Sequence, residues 1–277
     1  SSLDHSEIES VIKEFISKYE KEKIDISLPS LRLDSKSIDL LTDVQKLRKT
    51  SLTFAPEAGS QRLRDVINKG VTENDFENTL KKVFENGWKK IKLYFMIGLP
   101  TETMEDVLKI ADLSKKAIDL FYDIPKDKRK GWPSVTTSAS NFVPKPFTPF
   151  QWVSQDSIED LDKKHNELNS KINDRNIKFN YHGTYESTIE GIIARGDRRL
   201  NDVLIKAFEL GCKFDSWGKF FDYEKWQMAL EELDFDPKFY NERKRDFDEI
   251  LPWDHIDCGV SKEFLKNTHI FGVLLGL

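Results

Sequence analysis

The chain has 277 residues and a formal net charge of −5 at pH 7, since 43 lysines and arginines face 48 aspartates and glutamates. With 38% hydrophobic and 12% aromatic residues, a chain of this length can bury a sizeable core, which excludes a mainly disordered protein. The negative balance argues against binding of duplex DNA through a large basic surface, and two cysteines are too few for a disulfide framework or a four-cysteine zinc site.

The first half of the chain alternates between strand-like and helical patterns. The strand-like runs cover 24–33, 52–55, 90–97 and 135–143. The predicted helices cover 4–22, 36–48, 59–70, 72–84 and 101–120. Because crossovers that contain a helix are too long for hairpins, this order predicts a parallel sheet of the α/β class, either open or closed into a barrel.

The strand signal ends at a proline-rich stretch, Pro144–Pro149. The residues that follow are predicted to be mainly helical, with helices at 155–173, 186–194, 198–210, 222–233 and 237–244. The prolines therefore predict a boundary between a βα domain at 1–150 and a helical C-terminal domain at 151–277.

Several expectations concern the environment of the chain and of its side chains. No apolar run reaches the length of about 18 residues that a membrane span needs, and we expect a cytoplasmic protein with no membrane partner. We interpret Cys212 and Cys258 as buried, reduced thiols, and His165 and His269 as surface residues.

Ligands of βα proteins bind at the carboxyl ends of the strands, so the turns after the strands are the candidate sites. Glu57 follows a strand and could accept hydrogen bonds from ribose hydroxyls or a ligand ammonium, or balance a helix start. Gly98 follows the most apolar strand, where it lets a flat ligand approach the backbone or forms a plain turn. Lys69 could neutralise a carboxylate or phosphate, although a lysine in the last turn of a helix also suits the helix dipole.

A dense basic turn, Arg195-Gly196-Asp197-Arg198-Arg199, lies between two predicted helices. Its arginines could clamp an anion or an RNA phosphate. The alternative is a helix cap, with Asp197 as the N-cap and the arginines in surface ion pairs.

Three ordered segments resemble the radical S-adenosylmethionine (radical SAM) superfamily. The stretch from Ala55 to Gly70 resembles the family's strand-four segment, Tyr94–Thr103 its strand-five glycine motif and Phe142–Phe150 its strand-six segment. Within the superfamily the chain is similar to members that carry a cobalamin-binding domain and have no assigned reaction. That similarity extends to the arginine turn and to Leu251–Ile256.

The resemblance implies part of a (β/α)6 partial TIM-like barrel, with about four parallel strands here, followed by a mainly helical domain. It implies S-adenosylmethionine and a four-iron four-sulfur cluster that reduces the sulfonium to give a 5′-deoxyadenosyl radical, with cobalamin as a further cofactor. Carried over by position, Glu57 contacts the ribose or amino group, Lys69 contacts the methionine carboxylate, and Arg32 faces the cavity mouth. The implied adenine contacts are Met96, Ile97, Gly98, Phe142 and Val143.

The family's three-cysteine loop, which holds the cluster, is absent from this sequence. We therefore expect a carboxyl-terminal fragment that is inactive alone and whose partner is the missing N-terminal domain of the same protein. Neither the substrate nor a catalytic residue is identified. Two alternatives stay open: a βα enzyme that binds a phosphorylated metabolite through Lys69 and the arginine turn, and a module whose helical tail binds RNA, such as a ribosomal partner, or a protein.

Overall fold

The structure, a computed structural model, describes residue 5, residues 7–19, residues 22 and 24, and residues 51–129 and 131–275. The predicted strand residues 25–33, which include Arg32, lie outside the described residues, as does the predicted helix at 36–48.

Four parallel strands form one sheet in the order β1-β2-β3-β4. The strands are β1 (Leu52–Glu57), β2 (Lys90–Ile97), β3 (Ser134–Asn141) and β4 (Ile177–Tyr181). At least one helix separates each strand from the next, as parallel pairing requires. The predicted α/β class with about four parallel strands is therefore confirmed.

The strand β4 lies between the predicted helices at 155–173 and 186–194, in a region where the sequence predicts no strand. All five of its residues are partly or fully exposed, so it lacks the apolar run that marks a buried parallel strand.

The described helices connect the strands and then continue to the end of the chain. They are α1 (Ile8–Tyr19), α2 (Gln61–Val66), α3 (Glu73–Glu85), α4 (Met104–Asp123), α5 (Ile158–Lys171), α6 (Thr184–Arg195), α7 (Leu200–Glu209), α8 (Tyr223–Glu232), α9 (Pro237–Asn241) and α10 (Lys262–Leu275). The sequence predicts all of these except α10. None of the described helices is long and apolar enough to cross a membrane.

Local sequence signals explain where the helices next to the sheet begin. The helix α3 starts with a capping box between Thr72 and Asp75, and α4 starts with one between Thr103 and Asp106. In each box the threonine hydroxyl and the aspartate carboxylate satisfy backbone N–H groups that the first turn leaves unpaired. The box at α4 fixes the point at which the turn after β2 ends.

The chain divides into two compact units. The first consists of Ser1–Met96, Thr103–Ser140 and Glu167–Asn180, and the second of Ile97–Glu102, Asn141–Asn166 and Tyr181–Leu277. In the first unit the core includes alternate residues of β2, since Ile91, Leu93 and Phe95 are buried. In the second, one apolar cluster lies around α6, α7 and α8, and another around Trp152 and Trp253.

Candidate functional site

The carboxyl end of β1 has an irregular backbone at Glu57. The pairing of β1 with β2 shifts register between Phe54 and Glu57, where Pro56 has no N–H group to donate. Glu57 then adopts a φ of 69°, a left-handed conformation that is uncommon for residues other than glycine. Such conformations persist where the surrounding structure holds them, and they cluster at ligand sites.

Glu57 pairs with Lys69 in the first unit. Lys69 Nζ lies 3.0 Å from Glu57 Oε1, and the two side chains are 29% and 27% exposed. Within the first unit, the structure therefore brings together two of the residues that the sequence singles out. The pair is partly open to solvent, so a ligand could reach both groups.

A buried arginine braces the turn that carries this pair. Arg64 Nη1 donates to Ala58 O at 3.0 Å, and Arg64 Nε donates to Val71 O at 3.0 Å. Burial lowers the pKa of the Arg64 guanidinium. Because Arg64 ties both ends of the turn to one side chain, the segment between Glu57 and Lys69 has little freedom.

A second brace joins the same turn to the start of α4. The Asp106 carboxylate accepts hydrogen bonds from Ser60 Oγ and Arg62 Nη2, both at 2.5 Å, and from Thr103 N at 2.9 Å. Burial alone would raise the pKa of Asp106, but these bonds outweigh it and hold the pKa far below its usual range. A Cβ on Gly59 would meet Asp106 O at 2.5 Å, so only glycine fits beside this helix.

The turn after β2, in the second unit, is built around a buried carboxylate. Gly98 has a φ of 88°, and its N–H donates to Glu102 Oε1 at 2.7 Å. Lys164 Nζ lies 2.8 Å from Glu102 Oε1 and 2.6 Å from Asp156 Oδ2. Burial raises the pKa of Glu102, whereas the two carboxylates outweigh burial and raise the pKa of Lys164.

Sequence reasoning identified the turn from Gly98 to Glu102 but gave Glu102 no role and did not find Asp156 and Lys164. Glu102 follows Gly98 by four residues and could have been noticed from that spacing. Lys164, in contrast, is 62 residues from Glu102, so no local sequence pattern indicates their contact.

The other predicted adenine contacts differ in accessibility. In the second unit, Phe142 N donates to Ile97 O at 2.8 Å, so the backbones at the ends of β2 and β3 are adjacent. The Phe142 side chain is partly exposed, as is that of Met96 in the first unit, whereas those of Ile97 and Val143 are buried. Ile97 and Val143 could therefore offer a ligand only backbone groups, and the roles of all four stay predictions.

The described residues do not fit an iron-sulfur cluster. Cys212 is buried, and burial raises the pKa of its thiol. Cys258 is exposed, so its interpretation as a buried thiol is wrong. Within the described ranges no group of three His, Cys, Asp or Glu side chains is arranged to hold a metal ion.

The interpretation of His165 and His269 as surface residues is wrong, because both are buried. In the arginine turn, Arg198 and Arg199 are exposed but Arg195 is fully buried, so the three arginines cannot form one surface clamp.

Comparison with known proteins gives two findings. Residues 1–114 match the radical SAM superfamily. An uncharacterized protein of Methanocaldococcus jannaschii is 35% identical over 221 residues, an alignment that covers 75% of this chain and 45% of the relative. The chain thus spans less than half the length of this curated relative. Glu57, Lys69 and the Gly98 turn lie inside the matched range, whereas Phe142 and Val143 lie beyond it. Residues 1–114 are thus similar to a radical SAM superfamily domain.

Proposed function

We propose that this chain forms part of a radical SAM enzyme and that its Glu57–Lys69 pair binds the methionine end of S-adenosylmethionine. The superfamily match over residues 1–114 supports the enzyme class. The observation that carries the site is the left-handed Glu57, held at the carboxyl end of β1 with its carboxylate on Lys69.

The charges of this pair complement an α-amino acid. The methionine end of S-adenosylmethionine carries an ammonium and a carboxylate, which would face Glu57 and Lys69 respectively. With both side chains more than a quarter exposed, their mutual ion pair is worth less than about 1 kcal/mol. A zwitterionic ligand can therefore separate the two groups and satisfy both.

Contact of the turn after β2, in the second unit, with an adenine ring stays a prediction. Gly98 is buried and a Cβ there would meet Asp156 Oδ2 at 3.1 Å, while Glu102 with Lys164 holds the turn in place. Bound S-adenosylmethionine would supply the 5′-deoxyadenosyl group.

The cluster has to be held by cysteines outside this sequence, because the chain offers only Cys212 and Cys258. We therefore propose that the chain acts within a longer protein, that it is inactive alone, and that it binds S-adenosylmethionine weakly without the cluster. Use of cobalamin also stays a prediction, and corrin absorbance of the longer protein, purified without oxygen, would test it.

Binding of S-adenosylmethionine by variants of the longer protein, reconstituted without oxygen, tests the site. We expect Glu57→Gln to weaken binding in equilibrium dialysis about tenfold, which corresponds to about 1.4 kcal/mol. Glu105→Gln is the matched control, since the Glu105 side chain is 81% exposed on α4. Equal affinity of the two variants would remove Glu57 from the site, and an unaltered protein that forms no 5′-deoxyadenosine would remove the enzyme class.

The phosphorylated-metabolite alternative is weakened by the Lys69 environment. Its ammonium already has the carboxylate of Glu57 at 3.0 Å, and that negative charge would repel a phosphate. An RNA or ribosomal partner of the helical tail stays a prediction.

A further inference from the structure

Two arginines of the second unit are buried side by side. Arg195, the last residue of α6, is 0% exposed, and Arg245, which follows α9, is 2% exposed. Guanidinium groups are almost never fully buried unless a counter-charge accompanies them. Each of these two guanidinium groups is therefore expected to have a counter-charge.

Backbone carbonyl oxygens accept hydrogen bonds from some of the N–H groups of the two arginines. Arg195 Nε donates to Tyr240 O at 2.8 Å, and Arg245 Nη2 donates to the same oxygen at 3.4 Å. Arg245 Nη2 also donates to Arg195 O at 3.1 Å. Because both guanidinium groups reach one oxygen atom, the two positive charges are close neighbours.

Arg195 Nη1 donates to Gln151 O at 3.5 Å, but the other N–H groups have no acceptor. Arg195 Nη2, Arg245 Nε and Arg245 Nη1 are buried without a hydrogen-bond partner, and these three nitrogen atoms together carry five N–H groups. Glu249, whose charge acts on both arginines, binds Arg243 instead, with oxygen atoms 2.8 and 2.5 Å from its two terminal nitrogens. In the described part of the chain no salt bridge includes Arg195 or Arg245.

The pair remains cationic near neutral pH. Burial, reinforced by the charges of Arg245 and Arg243, lowers the pKa of Arg195 to about 9. Burial and the charge of Arg243 also lower the pKa of Arg245. Trp253 covers Arg245, with Arg245 Cζ 5.1 Å from the ring centroid. Water therefore has little access to screen the repulsion between the two guanidinium groups.

We propose that Arg195 and Arg245 form a binding site for a phosphate group, either orthophosphate or the phosphoryl group of a larger ligand. A phosphate brings negative charge to both guanidiniums and offers four oxygens to the unpartnered N–H groups, whereas a carboxylate offers two. This proposal does not depend on the function proposed for the Glu57–Lys69 pair.

Thermal unfolding of the chain in potassium phosphate tests the proposal, with potassium chloride at equal ionic strength as the reference. Phosphate should raise the Tm in a saturable manner, because a ligand that binds only the folded state stabilises it. Arg245→Gln should weaken the phosphate affinity at least tenfold. Arg198→Gln makes the same change of charge at an exposed position of the arginine turn and should leave the affinity unchanged.

Calorimetric titration of the unaltered chain with phosphate keeps the test valid if Arg245→Gln does not fold. Titration with adenosine 5′-monophosphate and with adenosine then distinguishes the two sources of phosphate. If adenosine 5′-monophosphate binds but adenosine and orthophosphate do not, the site takes a phosphoryl group on a larger ligand. If orthophosphate binds but the monophosphate does not, the site takes the free anion. Absence of saturable binding of both orthophosphate and adenosine 5′-monophosphate, or equal binding of them by Arg245→Gln and the unaltered chain, would overturn the proposal.

Discussion

Replacing Lys164 by methionine should destabilise the second unit strongly, because the change leaves Glu102 buried without a cation. The side chains of Lys164 and Glu102 are 14% and 1% exposed, and Nζ lies 2.8 Å from Oε1. Removing one partner of a buried ion pair costs about 3–5 kcal/mol. A loss of about 3 kcal/mol corresponds to a fall in Tm of roughly 6–12 °C for a chain of this size.

Urea unfolding followed by circular dichroism measures this loss as a shift of the midpoint. Lys171→Met is the matched control on the same helix, α5. Lys171 pairs with Asp112 at 2.7 Å, but the two side chains are 38% and 58% exposed, so the expected loss is below about 1 kcal/mol.

The double variant Glu102→Gln/Lys164→Met separates the charge effect from lost packing. A glutamine at 102 needs no cation and can still accept the Gly98 N–H, so the double variant should be more stable than Lys164→Met alone. The two substitutions should be coupled by at least about 1 kcal/mol. Additive losses, or a Lys164→Met variant as stable as Lys171→Met, would refute the reasoning.

Three further substitutions test contacts described above. Gly59→Ala should lose about 1–3 kcal/mol in urea unfolding, because its Cβ would meet Asp106 O at 2.5 Å, whereas Gly218→Ala has open space and should be near neutral. Asp106→Asn should reduce the loss of stability at acidic pH. Hydrogen bonds, led by that from Arg62, outweigh burial and hold the pKa of Asp106 below its value in the unfolded chain. The stability that the Asp106 carboxylate contributes is therefore present above about pH 4 and is lost as the pH falls further. Burial lowers the pKa of His165 from 6.5 to about 4. Its contribution is therefore present above pH 6.5 and is lost on acidification towards pH 4, and His165→Phe should reduce the loss of stability over that interval in pH-dependent urea titrations.

Local patterns sufficed for β1, β2 and β3, because each strand carries buried residues at regular spacing and is followed by a capped helix. They failed for β4, and that failure explains why the burial of His165 was not predicted either. His165 stands beside lysines on a polar helix, and its burial includes a stacking contact with Tyr181, the last residue of β4, at 4.3 Å between ring centroids. Without β4, no sequence pattern predicts the burial of His165.

The candidate sites show the same limit. Glu57 could be found because it directly follows a strand, and Lys69 because it closes the next helical segment. The partners of Arg195 could not, since its hydrogen bonds go to Tyr240 O and Gln151 O, which lie 45 and 44 residues away. Contacts at that separation depend on how the second unit packs, and a basic turn between two helices predicts exposure instead.

Glu57 and Glu102 both lie in turns that follow strands, yet their surroundings suit them to different tasks. Glu57 shares an ion pair whose side chains are 27% and 29% exposed, so separating that pair costs less than about 1 kcal/mol. Separating Glu102 from Lys164 would cost about 3–5 kcal/mol, a large part of the roughly 8 kcal/mol that a micromolar ligand gains on binding. A ligand at Glu57 can therefore exchange partners with the ion pair, whereas a ligand at the turn after β2 would have to accept the backbone that Glu102 holds in place.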